Sequence, residues 1–171
     1  MNIKPPLLFA VLIIYLFVGC SNSYELTAEQ KQLANTLKDT TQKYLVDDFG
    51  KSSFGGKAFC AYKVLDIEAK DGGKYINEYL WAVCQEYYLT NDRLETGTGI
   101  SLPIALFIQL DGTYKVNSHK VPRDGSMFSY DVENIFPKRT HNEIFAHEIP
   151  NQLIEQARQE AEDYYKKRKT Q

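Results

Sequence analysis

The chain has no Walker loop and no G-x-G-x-x-G segment, so neither a phosphate cradle nor a dinucleotide fold is signalled. It has no CxxC pair, which argues against thiol redox catalysis. No G-x-S-x-G elbow precedes a helix, and no H-E-x-x-H sets two histidines one helical turn apart. Internal repeats are missing. An excess of one charge is missing too: 20 basic residues stand against 22 acidic ones, for a net −2. Removing residues 1–19 would take away one Lys and no acid, leaving the remainder slightly more acidic. That balance gives no general pull toward nucleic acid, and none is expected as a partner. Long apolar runs are also lacking. Residues 7–18 form a stretch of about a dozen apolar residues, where a spanning helix needs roughly 20.

What is present suits one globular domain. The 171 residues are 43% apolar and 25% charged, so wholesale disorder is not expected. Twelve Tyr and nine Phe are many for this length and favour a sheet-rich core or an adhesive surface.

The short apolar run follows a single basic residue, Lys4, and has the length of a signal-peptide core. It ends in Phe17-Val18-Gly19-Cys20. This tetrad resembles the lipobox of bacterial lipoproteins, with Phe17 in the place of the usual leucine. The resemblance covers about the first 23 residues. It implies a signal peptide over 1–19 and a diacylglyceryl thioether on Cys20, which becomes the new amino terminus. Fatty acyl chains such as palmitate then hold the protein on the membrane, facing the periplasm or exterior. Each buried methylene contributes about 0.8 kcal/mol, and two or three chains make attachment practically permanent. Ser21 rather than Asp follows the cysteine, which in Gram-negative lipoproteins is the outer-membrane sorting pattern. An ordinary cleaved secretory signal and a short uncleaved anchor are the alternatives. Residues 20–26 read as a tether and 27–171 as a single domain.

Beyond Cys20 there are two more cysteines, Cys60 and Cys84. Between them lies Lys70-Asp71-Gly72-Gly73-Lys74, a turn flanked by β-branched and aromatic residues. If Asp71-Gly72-Gly73 is a three-residue hairpin loop, opposed residues sum to 144, and the two sulfurs face each other. Opposed Cα atoms lie about 4.5 to 5.5 Å apart, a span that a cystine bridges. A disulfide is expected outside the cytoplasm; two free buried thiols on adjacent strands are the alternative.

Thr27 followed by Gln30 has the form of a capping box, and Leu33, Ala34, Leu37, Tyr44 and Leu45 continue at helical spacing to about Asp47. Residues 49–56 read as a flexible Gly/Ser stretch. Strands are expected over 57–69 and 74–89, with 91–99 as a polar loop. A third strand has Ile100, Leu102, Ile104, Leu106, Ile108 and Leu110 all pointing one way, with Pro103 marking an edge or a later start. Asp111-Gly112 turns the chain into a fourth strand at about 114–121. A short helix over 130–136 stops at Pro137. The last helix starts near Pro150 and puts Leu153, Ile154, Ala157, Ala161, Tyr164 and Tyr165 on one face. The order predicts an α+β fold: a helix, a four-stranded antiparallel sheet and a helix, cystatin-like or NTF2-like in outline. The helices would cover one sheet face, and Trp81 with the tyrosines would line the other.

Candidate chemistry is sparse. His141 and His147 are six residues apart, on opposite sides of a helix; only a loop could converge them with Glu143 or Glu148, and no metal or cofactor is expected. Backbone amides of Gly97-Thr98-Gly99 could hold an anion, although a loop leading into a strand is the plainer reading. Glu78, Glu86, Asp66 and Glu68 are spaced along strands rather than paired for catalysis. In Val121-Pro122-Arg123-Asp124-Gly125-Ser126, Arg123 either pins the next loop, pairing across the turn with Asp124, or contacts a ligand. The segments EYLWAVCQEYY, GISLP, PRDGS and NIFP resemble parts of small bacterial envelope domains that carry no assigned activity. The basic run Lys166-Lys167-Arg168-Lys169 complements a helix C-terminus or meets anionic lipid.

The expectation is a lipid-anchored, non-catalytic domain that binds an envelope protein or polymer. Its binding face would hold Trp81, Tyr79, Tyr87 and Tyr88, with Arg123 as a further contact. An inhibitor of a protease or toxin would differ only in its partner. An NTF2-like pocket enzyme or small-ligand carrier is the rival, and it requires a deep concavity with convergent polar groups.

Overall fold

The computed structural model describes residues 24–147 and 149–169. Cys20 and residues 1–19, expected to be a signal peptide, lie outside the described residues, as does Glu148. Helix α1 (Ala28–Phe49) opens with the expected box: the Gln30 amide donates to Thr27 Oγ1, and the Thr27 amide donates back to Gln30 Oε1. Then come β1 (Lys57–Lys70), β2 (Tyr75–Thr90), β3 (Arg93–Asp111) and β4 (Thr113–Lys120), followed by α2 (Phe128–Ile135), α3 (His141–Ala146) and α4 (Ile149–Lys169). The strands form one antiparallel meander in the order β1-β2-β3-β4. The fold is α+β, with helices before and after an open sheet.

Both sheet faces are covered over β1, β2 and the second half of β3. On one, Leu37 and Leu45 of α1 pack over Cys60, Ile67, Ile76, Leu80, Ile104, Leu106 and Ile108. On the other, Val132 of α2, Ile144 of α3 and Leu153, Ala157 and Ala161 of α4 pack over Phe59, Ala61, Leu65, Tyr79, Trp81, Val83 and Tyr87. Strand alternation sends odd and even residues of β2 to opposite cores, so the whole strand is buried except near its ends. Ile154, expected on the buried face of α4, is 44% exposed.

Cys60 and Cys84 are paired across β1 and β2 and joined in a disulfide, with their Cα atoms 4.0 Å apart. The register arises differently from the simple hairpin. The turn occupies four residues, so Lys70 opposes Tyr75, and a bulge between Val64 and Asp66 restores the offset that faces the cysteines. Residues 93–99, expected as a loop, extend β3, because the turn takes only Asn91 and Asp92, both left-handed. Pro103 opposes Trp81 on β2, but β4 joins the other side of β3 only from Ala105 onward. Its missing N–H therefore leaves no ladder bond unmade.

Candidate functional site

The aromatic face expected from the sequence is a core. Trp81, Tyr79 and Tyr87 are 3%, 7% and 2% exposed. The Trp81 indole N–H donates to Ser101 Oγ at 3.1 Å, Tyr79 packs against Phe136, and Tyr87 meets Phe59 edge-on. Helix α4 closes this side: Tyr165 donates its hydroxyl to the Tyr87 carbonyl at 2.7 Å. Three of the four aromatics proposed to meet a partner are thus covered by a helix layer. Tyr88 alone is partly open, stacked on exposed Phe54 at 5.6 Å. Arg123 does not pair with Asp124. Its guanidinium grips Asp131 through Nε and Nη2, both at 2.8 Å, and its amide donates to the same carboxylate at 2.9 Å. These bonds hold the Asp131 carboxyl down to about 2 and pin α2 to the chain leaving β4.

The Gly/Ser stretch after α1 and the Gly97-Thr98-Gly99 segment do bind an anion, and that anion is Glu86. This fully buried carboxylate accepts from the Ser52 hydroxyl, from the amides of Ser53, Phe54 and Gly56, and from the amide of Thr98. Burial raises its pKa, but the Ser52 hydroxyl and the three loop amides outweigh that and hold it at about 2. Gly97 is required there, since a Cβ would sit 2.5 Å from Glu86 Oε2. The long-range partner of two turn-like segments was invisible in either segment alone.

Glu78 is the opposite case. It lies in the α1 core with its Oε2 accepting from Thr41 Oγ1 at 2.5 Å and its Oε1 without a partner among the described residues. Burial pushes its carboxyl up to about 7 against the opposing Thr41 bond. Nearby Tyr62 is raised by its own burial and then by Glu78.

His119 is held by Tyr44, whose hydroxyl is 2.7 Å from Nδ1, and by Asp48 at 3.3 Å. His119 and Asp48, with Lys51, Thr98 and Ile100, line a hollow of about 250 Å³ beside the open part of β3. His141 and His147 do not converge: one bonds the Phe136 carbonyl, and the other stacks on Phe128.

A long concavity follows the outer edge of β1, which has no strand neighbour among the described residues. Two depressions of about 520 and 530 Å³ meet at Gln42 and Glu160, between α1 on one side and α4 on the other. Tyr62, Val64, Phe59 and Ala58 form the floor, and Lys38, Asp39, Glu160 and Asp163 stand on the walls. Gln42 Nε2 donates to the Cys60 carbonyl at 2.8 Å, so this carbonyl faces outward. Alternation then turns the backbone groups of Ala58, Cys60 and Tyr62 toward the same open side. An extended segment laid here could bond the sheet through its main chain. Among the described residues, no helix is long and apolar enough to cross a membrane. No family model, curated protein or solved structure matches the chain.

Proposed function

We propose that the protein is a lipid-anchored domain of a bacterial cell envelope, carried outside the cytoplasm by acyl chains on Cys20, and that it binds rather than catalyses. The single observation that supports this most is the Cys60–Cys84 disulfide, 1% and 2% exposed and built into the core. Such structural cystines form and persist in oxidising compartments, the location that the lipobox-like tetrad at 17–20 implies. The partner is an envelope protein or polymer. With the aromatic sheet face covered by α4, its place is the groove along β1, where outward main-chain groups favour an extended polypeptide.

Photo-crosslinking in intact cells tests the binding surface. A benzophenone side chain at Asn35 or Gln156, both on the groove walls, should give one discrete adduct. The same group at Asn117, on β4 at the opposite edge of the sheet, should give none. Adducts of equal yield from all three positions, or none from the groove, would remove the assignment.

A small-ligand carrier is the second reading, favoured by the convergence of Tyr44, His119 and Asp48. The hollow beside them, lined by His119 and Asp48 and about 250 Å³ in volume, is smaller than the usual ligand cavity of about 300–1,000 Å³.

A further inference from the structure

The chain is fixed where it enters the domain. Tyr24 donates its hydroxyl to Gln30 Oε1 at 3.0 Å and to Asp66 Oδ1 at 3.3 Å, and its ring lies 5.3 Å from the Arg139 guanidinium. Asp66 is fully buried at the β1 bulge and pairs with Arg139 Nη2 at 2.5 Å. Gln30 Nε2 completes the junction by donating to Asp66 Oδ1 and to the Ile67 carbonyl. The chain therefore has no slack from residue 24 onward. Any freedom of a membrane tether must come from the four peptide links between Cys20 and Tyr24, which span at most about 14 Å.

The junction lies near one end of the sheet. Ile67 is three residues short of Lys70, where β1 reaches its turn, a distance of about 10 Å. The turn between β3 and β4 is at the same end, since Tyr75 opposes Gln109 and the Leu110 amide donates to the Lys74 carbonyl at 2.8 Å. Here Tyr75 is 39% and Leu110 37% exposed, with Lys74 Nζ 5.6 Å from the Tyr75 ring. Lys70 is exposed alongside, with Asp71 in the first turn and Asp111 at the end of β3. A protruding tyrosine, a leucine and lysines able to reach phosphates are the side chains that settle at a lipid head-group layer.

We infer that, on the reading that Cys20 is acylated, this end of the sheet is the membrane-facing end: Tyr75, Leu110, Lys70 and Lys74 meet the lipid head groups. The tether is just long enough to bring the turns down and too short to let the opposite end do so. That end lies twelve residues further along β2, roughly 40 Å away, where Lys57 opposes Tyr87 and Tyr165 caps the Tyr87 carbonyl. Lys166 and Arg168 of α4 follow Tyr165 and are exposed there, so the basic run is presented away from the bilayer. The β1 groove runs between the two ends and stays open to a partner.

The test uses the full chain, purified acylated from membranes and placed in phosphatidylethanolamine/phosphatidylglycerol nanodiscs containing a lipid with a nitroxide head group. Amide signals of 71–75 and 110–113 should be attenuated several-fold more than those of 57–59, 87–91 and 164–168. Inserting twelve Gly/Ser residues between Ser23 and Tyr24 should even out the contrast. Strongest attenuation at 87–91, at α4 or along the groove, or an even pattern without the insertion, overturns the orientation while acylation stands. If the mass of the same sample shows no acyl group on Cys20, both the anchor and the orientation fall.

Discussion

Glu78 and Glu86 sit eight residues apart on one strand, and their surroundings drive their ionisation in opposite directions. Glu86 has a folded value of about 2 against an ordinary 4.5, and Asp131 about 2 against 3.8. Their stabilisation is complete above the ordinary values and is lost as pH falls through the folded ones. Glu78 reverses the sign, with a folded value of about 7 against 4.5. Its contribution is complete below 4.5 and is lost as pH rises through 7. The protein should therefore be most stable near pH 4.5–5 rather than at neutrality. From pH 4.5 to 8 the Glu78 shift alone costs about 3 kcal/mol. Urea denaturation across this range should show the decline in the wild type and a nearly flat profile in Glu78→Gln. An unchanged slope in the variant would show that Glu78 is not the group responsible. Neither shift could be read from the sequence, because the burial of Glu78 beneath α1 and the reach of the 52–56 loop to Glu86 both arise only in the fold.

The β1–β2 hairpin shows where element-level reading holds and where it stops. Turn residues and flanking β-branched side chains placed the strands to within a residue or two, and the cysteines do face each other. The bulge at Leu65 has no local signal in Val64-Leu65-Asp66; it compensates for a turn of four residues rather than three. Residues 93–99 looked like a loop because they are polar, yet they pair with β2 on one side while lying mostly open to water on the other. The aromatic stripe of β2 gave the right periodicity and the wrong surroundings, since alternation fixes which residues share a face but not whether a helix covers it. The disulfide closes a loop with a separation of 24 residues, so the chain-entropy model assigns it about 3.5 kcal/mol. The double variant Cys60→Ala/Cys84→Ala should lose stability on that scale in equilibrium denaturation. An effect near zero would mean that the cystine does not constrain the unfolded chain as described.

At the scale of the whole molecule, helix layers cover both faces of the sheet over β1 and β2, while the groove beside β1 and the two ends of the sheet are among the surfaces left open to partners. The α+β class and the strand order were legible because each element announces itself through local spacing and turns. The double-sided cover was not, because it depends on how α4 returns across β1 and β2. The proposed anchor gives these surfaces their meaning: a short tether brings the turn end to the lipid and leaves the groove for an extended partner. Intact-mass and peptide mass spectrometry of the protein extracted from its native membranes tests this most directly. The account predicts a chain beginning at acylated Cys20 with a Cys60–Cys84 cystine. A cytosolic chain that still begins at Met1, with Cys20 unmodified and the other two thiols reduced, would contradict it.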